Sequence, residues 1–291
     1  MTMRLPPIMR AFSLAAIDDV LASIHGTSRL DFTPSHALTR IVGGVVLDVN
    51  RADPWDLVSE GTTATDARMV YGKPDHHSRS LETIEGGAHR WIARTQAAFR
   101  FSTQSWSLMF PYRVDTEADG GLILSHIKGP NPDDIFYPTP ITYGQNRGWG
   151  MSSNGNGGAC GFLMYGSAGQ HNTDFSAFTV NFADGLWRMV EIGYNATANT
   201  SWLTVAHRRS DASAGAAGAV SISQTSAGLG NMSSTDGWFS TGGDYRGVRA
   251  ANQTGGIGLP LIVFEGTAAE NRYAVRIAEL PVLQAQLEAY E

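Results

Sequence analysis

Cysteine, charge and long apolar runs are scarce in this sequence, and each scarcity closes off a class of protein. The single cysteine, Cys160, allows no intramolecular disulfide and no Cys-rich zinc site. It stands in Gly157-Gly-Ala-Cys-Gly-Phe162 without a neighbouring base, and reads as a small buried or half-buried thiol. Charged residues are only 16% of the 291, too few for long helices with Glu and Lys on a solvent face. A net charge of −6 gives no expectation of nucleic acid as a partner. His207-Arg208-Arg209, a local cationic exception, reads as a solvated strand end. No stretch approaches the roughly 18 to 20 apolar residues that cross a bilayer, so no membrane insertion is expected. At the start of the chain Pro6-Pro7, Arg10 and Asp18-Asp19 interrupt any export signal. No internal repeat is found.

What the sequence does have is glycine (33 residues), Ser, Thr and Ala in quantity, and short runs of period two. That balance predicts many short strands and tight turns. Residues 8–25 are the exception: Phe12, Ala16, Val20 and Ile24 fall at i, i+4 and predict a helix. Residues 1–27 are read as a helical arm for attachment or oligomerisation, the alternative being a helix that folds back on the domain, and residues 28–291 as one β domain. Strands are expected at Arg40–Val49, Ala67–Tyr71, His89–Arg94, Gly161–Tyr165, Phe175–Phe182, Leu186–Tyr194, Ser201–His207, Gly258–Phe264 and Arg272–Leu280, with a short closing helix over Val282–Tyr290.

The segment Phe101–His126 is the most patterned. Trp106, Leu108, Phe110, Tyr112 and Val114 alternate with Ser105, Ser107, Met109, Pro111 and Arg113, which predicts one apolar face and one wet face. Glu117–Gly121 ends in Asp-Gly-Gly and reads as the turn of a hairpin. Pro111 has no N–H to give a ladder, so its strand is expected at an edge or a bulge.

Three segments together carry a family resemblance. They are the aromatic, Ser-rich strand before the Asp-Gly turn (Phe101 to Ser125), Leu186–Tyr194 followed by Trp202-Leu-Thr-Val205, and the closing Arg-Ile-Ala-Glu-Leu280 run. In this order they resemble the laminin G-like, concanavalin A-like jelly rolls, over about residues 30–280. The resemblance implies an all-β, two-sheet antiparallel jelly-roll sandwich, with the apolar face of 105–114 meeting the opposite sheet about 10 Å away. Trp187, Val190, Ile192 and Tyr194 are candidates to share that core.

Enzymes of that fold work with paired carboxylates. Their Glu-x-Asp-x-x-Glu signature is absent, and Gly193 stands two residues from Glu191 where a partner is needed. Tyr143, Gln145, Arg147 and His171 are residue types that lyases use, but they are not in lyase motifs. No catalytic residues are assigned. Asp115, Asp119, Asp133 and Asp134 are the candidate calcium ligands; the Asp115 loop has His126 at its twelfth position, where a calcium loop needs a bidentate Glu. Calcium apart, no cofactor is expected.

Glycan recognition asks for aromatic rings that stack on sugars and for amides, carboxylates or Arg that bond hydroxyls. Two loops supply such sets: Tyr143, Gln145, Arg147 and Trp149 in the first, and Trp238, Asp244, Tyr245 and Arg246 in the second. A lectin-like domain without export signal or disulfide fits a virion protein made in a bacterial cytoplasm and released by lysis. The expectation is a non-enzymatic spike, fibre or decoration protein on the surface of a phage or phage-like particle. It would bind other virion proteins through residues 1–27 and host surface polysaccharide through the sandwich, as a homo-oligomer with a trimer as the guess. The alternatives are a purely structural virion protein and a polysaccharide lyase or hydrolase.

Overall fold

The computed structural model of the chain describes residues 28–30, 34–41, 57–61, 67–70, 80–83, 90–94, 105–116, 122–128, 148–153, 160–165, 170–173, 184–212, 218–225, 237–241, 254–258 and 261–290. The strands are β1 (Ser28–Leu30), β2 (Pro34–Ile41), β3 (Leu57–Gly61), β4 (Ala67–Val70), β5 (Ser80–Thr83), β6 (Arg90–Arg94), β7 (Trp106–Thr116), β8 (Leu122–Lys128), β9 (Gly148–Ser153), β10 (Cys160–Tyr165) and β11 (Gln170–Thr173). Then come β12 (Arg188–Asn195), β13 (Thr200–Ala206), a one-turn helix α1 (Arg209–Ala212), β14 (Ala219–Thr225), β15 (Gly237–Thr241), β16 (Thr254–Gly258), β17 (Leu261–Glu265) and α2 (Thr267–Tyr290). The arm 1–27, the expected strand Phe175–Phe182 and most of Arg40–Val49 lie outside the described residues.

Among the described residues the strands form two sheets. The first runs β14-β13-β12-β7, and beyond β7 two strands share its length: β17, with β1 outside it, and β16, followed by β5 and β4. The second runs β11-β10-β9-β8-β15-β6-β3-β2. The pairing is antiparallel except for β2 with β3, which is parallel. The sheets close on each other where β10 and β11 approach β13 and β14. The arrangement is strand-rich and largely antiparallel, with a C-terminal helix.

Three expectations about the sheets need correcting. Phe101–His126 is not a hairpin, because β7 belongs to the first sheet and β8 to the second, so the chain crosses between sheets after Thr116. β7 is central rather than at an edge. Pro111 is accommodated because the ladder on one side of β7 changes strand there: β17 pairs as far as Ile262↔Met109, and β16 pairs from Ile257↔Tyr112. A Cβ on Gly258 would lie 2.9 Å from the Pro111 ring, so the two residues fit only with glycine at that position. Val190, Ile192 and Tyr194 pair beside β7, opposite Phe110, Leu108 and Trp106, and share its buried apolar face as expected, whereas Trp187 lies in the layer on the other face with Met109 and Met189.

The largest correction is at the C-terminal end of the described chain. Arg272–Leu280 is not a strand, and the closing helix is not short: α2 spans 24 residues. Its sequence is rich in Ala, Glu, Gln and Leu, all strong helix formers. Gly266, with φ 56°, turns the chain out of β17. Its N–H donates to the Ser105 carbonyl and its own carbonyl accepts from Glu270, opening the first turn. Pro281 lies inside the helix and packs on Gly218, where a Cβ would come within 3.0 Å of the ring.

α2 lies across β17, β7, β12, β13 and β14. The expected wet face of β7 is the face it covers. Ser105, Ser107 and Met109 are buried there, in a layer that also holds Met189, Ala206, Ile262 and Phe264 against Ala269, Leu280 and Leu287 of the helix. The opposite face carries Trp106, Leu108, Phe110, Ile192, Leu203 and Val205, also buried. The first sheet is thus covered on both sides, and its central strands read as near-continuous buried runs.

Candidate functional site

A sheet face can bind a ligand only where it is open, so what covers each face decides where a site can lie. On the first sheet the layer under α2 is sealed by polar bonds as well as by apolar packing. Glu191, fully buried, accepts from Arg272 Nε and Nη2 at 3.2 and 2.7 Å. Arg272 also bonds Glu279 and stacks its guanidinium over Phe264 at 5.0 Å. Burial holds the Glu191 carboxyl above the usual carboxylate range, opposed by the Arg272 hydrogen bonds and charge. Arg276 donates to Thr204 Oγ1 and Ser221 Oγ, both at 2.9 Å, and lies 5.5 Å over the Trp202 ring. Burial pulls the Arg276 pKa down. Trp202 in turn lies flat on Gly193: a Cβ there would come within 2.3 Å of the indole.

Gln284 completes the seal in the manner of a strand. Its Oε1 accepts from the Met189 N–H at 2.7 Å and its Nε2 donates to the Trp187 carbonyl at 3.1 Å. At the start of β12, Arg188 is clamped by Asp184, at 2.7 Å to each carboxylate oxygen, and by Asp211 at 3.2 Å. Arg113, expected on the wet side, is buried with its guanidinium 5.1 Å from the Trp187 ring. The run His207-Arg208-Arg209 is only half a solvated strand end. His207 is buried and Arg208 donates to the Trp187 carbonyl, while Arg209 is exposed at the start of α1.

These contacts also bear on catalysis. Two pairs of acids share an arginine: Glu191 and Glu279 through Arg272, Asp184 and Asp211 through Arg188. Glycoside hydrolysis needs two carboxyl groups that reach opposite sides of a sugar. Here the arginines occupy the carboxylate oxygens, and Glu191 is walled in by the helix. In each pair one carboxyl, Glu191 or Asp211, is buried, while its partner, Glu279 or Asp184, is partly exposed. Among the described residues, no group of three His, Cys, Asp or Glu can hold a metal ion. Asp115 falls in β7, and Asp119, Asp133 and Asp134 lie outside the described residues. No helix among the described residues is long and apolar enough to cross a membrane.

The second sheet is where the expected glycan residues fall. Trp149 and Trp238 are in strands β9 and β15 rather than in loops. Register then separates them. Trp149 pairs with His126, and His126 with Phe239, so Trp149 and Phe239 share a face and Trp238, one residue before Phe239, is on the other. Met151, two residues past Trp149 and fully buried, marks the Trp149 face as the core side. On the Trp238 face one rung runs Gln170, Tyr165, Gly148, Ile127, Trp238, Arg94 across six strands. The chain enters β9 and β15 at the same end of the sheet and leaves β15 at the other. Tyr143, Gln145 and Arg147 precede the first entry, whereas Asp244, Tyr245 and Arg246 follow the exit; all six lie outside the described residues.

No family model matches the chain, and no curated protein matches its sequence. Solved structures do. The chain is similar to basic winged bean lectin with Tn-antigen, at 15% identity over 72% of this chain and 91% of that one, with a TM-score of 0.42. Lectin I-B4 of Griffonia simplicifolia in its metal-free form gives 10% identity over 75% and 96%, with a TM-score of 0.44. The binding domain of botulinum neurotoxin DC in complex with SialylT gives 12% over 77% and 46%, with a TM-score of 0.45. The chain thus spans about half the length of the toxin domain. These neighbours are legume lectins and botulinum toxin binding domains, all at low identity.

Proposed function

We propose that this chain is a non-enzymatic carbohydrate-binding protein of a virion surface: a spike, fibre or decoration protein of a phage or phage-like particle that attaches to host polysaccharide. The observation that carries the binding half is the rung on the second sheet. It sets two aromatics, an amide and a guanidinium on the sheet face opposite buried Met151. Tyr165 and Trp238 are three strands apart, about 14 Å at the usual strand spacing. That separation suits an oligosaccharide better than one sugar, with Gly148 and Ile127 at the two intervening register positions. The site reading also includes Tyr143, Gln145 and Arg147, which precede β9 in the sequence, and Asp244, Tyr245 and Arg246, which follow β15. The virion half rests on composition: a lectin-like sandwich with a single cysteine. Residues 1–27 then hold the protein to other virion proteins, in a homo-oligomer for which a trimer is the working choice, and calcium, if bound, uses Asp115, Asp119, Asp133 and Asp134.

A glycan array read with wild type, Trp238→Ala and Trp149→Ala tests the site. Loss of the Trp238 ring should weaken binding about thirtyfold, the effect of removing roughly 2 kcal/mol from an aromatic anchor. Trp149→Ala should leave affinity within a fewfold and lower thermal stability instead. A wild type silent on every glycan would leave a purely structural role, and release of reducing ends from a polysaccharide would make the protein an enzyme. Particles assembled with a chain lacking residues 1–27 test the anchor, since undiminished incorporation would rule the arm out.

A further inference from the structure

We infer that the glycan bound by this protein is acidic and that Arg94 selects it. The inference rests on the second sheet being the binding face, as proposed above, and adds the charge of the ligand. The chain as a whole carries a net charge of −6, yet the eight strands of that sheet hold Arg40, Arg90, Arg94 and Lys128 against one acid, Glu60. The strands of the first sheet hold four charged residues of each sign. Positive charge is thus concentrated on the sheet that the glycan reading uses, where an anionic ligand gains from it and a neutral one does not.

Register decides where the cations stand. Met151, on the core side, pairs with Leu124, Leu124 with Thr241, and Thr241 with Trp91. Trp91 is therefore on the core side, and Arg90 and Arg94 are on the other. Arg90 pairs with Glu60 and Glu60 with Arg40, so the one acid stands between two arginines. Arg94, about 13 Å further along β6, ends the rung that Gln170 begins and shares it with no acid among the described residues. Asp56, the residue before β3, lies outside them. Trp238 and Arg94 are on adjacent strands, about 4.8 Å apart, so a sugar held at the Trp238 position brings its substituents to the Arg94 position. Arginine's planar fork matches carboxylate and other oxyanions, and an acidic group repeated along a polymer reaches the Arg90 and Arg40 positions as well.

Binding of the full-length protein to dextran, dextran sulfate and polygalacturonate tests the inference, since these offer no charge, sulfate and carboxylate in turn. At least one acidic polymer should bind at least about tenfold more tightly than dextran, and its affinity should fall as salt rises from about 0.05 to about 0.3 M. Arg94→Gln should lose about tenfold on that polymer, the effect of removing one charge-assisted contact, and Arg94→Lys should recover part of it. Arg209→Gln removes the same charge from the exposed start of α1 and should stay within about twofold of wild type. Equal losses from Arg94→Gln and Arg209→Gln overturn the inference, because binding would then follow net charge alone. A preference for dextran, or acidic binding indifferent to salt, overturns it also, while leaving the glycan-binding face intact. Should Arg94→Gln unfold, Arg90→Gln with Arg40→Gln takes its place and must lower affinity for the acidic polymer. Silence on all three polymers overturns the acidic ligand, and the glycan array then judges the binding face separately.

Discussion

Gly193 and Glu191, two residues apart on β12, show how a single strand position can be set by what lies above it. Gly193 is the floor for the Trp202 ring, and the ring is the floor for Arg276 and for Tyr273, which meets it edge-on at 5.2 Å. Gly193→Ala should cost about 3 kcal/mol, the upper part of the range for overpacking, because backbone and indole both resist displacement; urea unfolding reads it directly. Glu191→Ala strands Arg272 under the helix and should cost about 3 to 5 kcal/mol, whereas Glu191→Leu with Arg272→Leu should recover most of that loss. The pH dependence has a definite sign. Glu191 titrates above the ordinary carboxylate value of 4.5 when folded, so its contribution is complete below 4.5 and fades as pH rises through the folded value. Glu270 is held below 4.5 by hydrogen bonds from Thr197 and Ser105, so its contribution is present above 4.5 and fades as pH falls. Glu191→Gln should therefore flatten the decline in unfolding free energy above pH 4.5, and Glu270→Gln should flatten the decline below it.

Among elements, α2 is the one that local pattern concealed. Arg272-Tyr-Ala-Val-Arg-Ile-Ala alternates well enough to pass for a strand, and Pro281 hides the continuity with Val282–Tyr290. The overlooked signal was the buried line Arg272, Arg276, Leu280, Gln284, Leu287, which has helical spacing but mixes polar with apolar side chains. The same mixture explains the misread wet face of β7. Ser105 and Ser107 look solvated in sequence, yet small hydroxyl residues are what a strand offers when a helix must approach it closely. Strands with strict alternation and a clear turn were legible: β12 and β13 pair around Ala196–Asn199 as expected, with Asn199 taking the positive φ. Gln284→Leu examines the seal at this scale. It removes the acceptor for the buried Met189 N–H and should cost about 2 kcal/mol of stability, with the loss of protection confined at first to the start of β12.

For the whole molecule, the arrangement of strands into two sheets was legible as a class and illegible as a path. Period two fixes which residues share a face within a strand, but no local signal says whether successive strands are partners. Asp-Gly after Thr116 suggests a hairpin, and only the competing partners of β7 and β8 send them to different sheets. Trp149 and Trp238 illustrate the same limit: both look like loop aromatics in sequence, and their opposite faces follow from register through β8. The result is a molecule with two unlike sides. One is roofed by a helix; on the other, the rung with Trp238 lies on the face opposite the core.

The roof also sets a schedule. Glu191 and Arg272 are separated by 81 positions, an interval of roughly 4 to 16 seconds at the usual pace of synthesis, 5 to 20 residues per second. Through that interval the nascent layer shows a buried-type acid, a bare indole and the side chains of Met109 and Met189 to whatever is near.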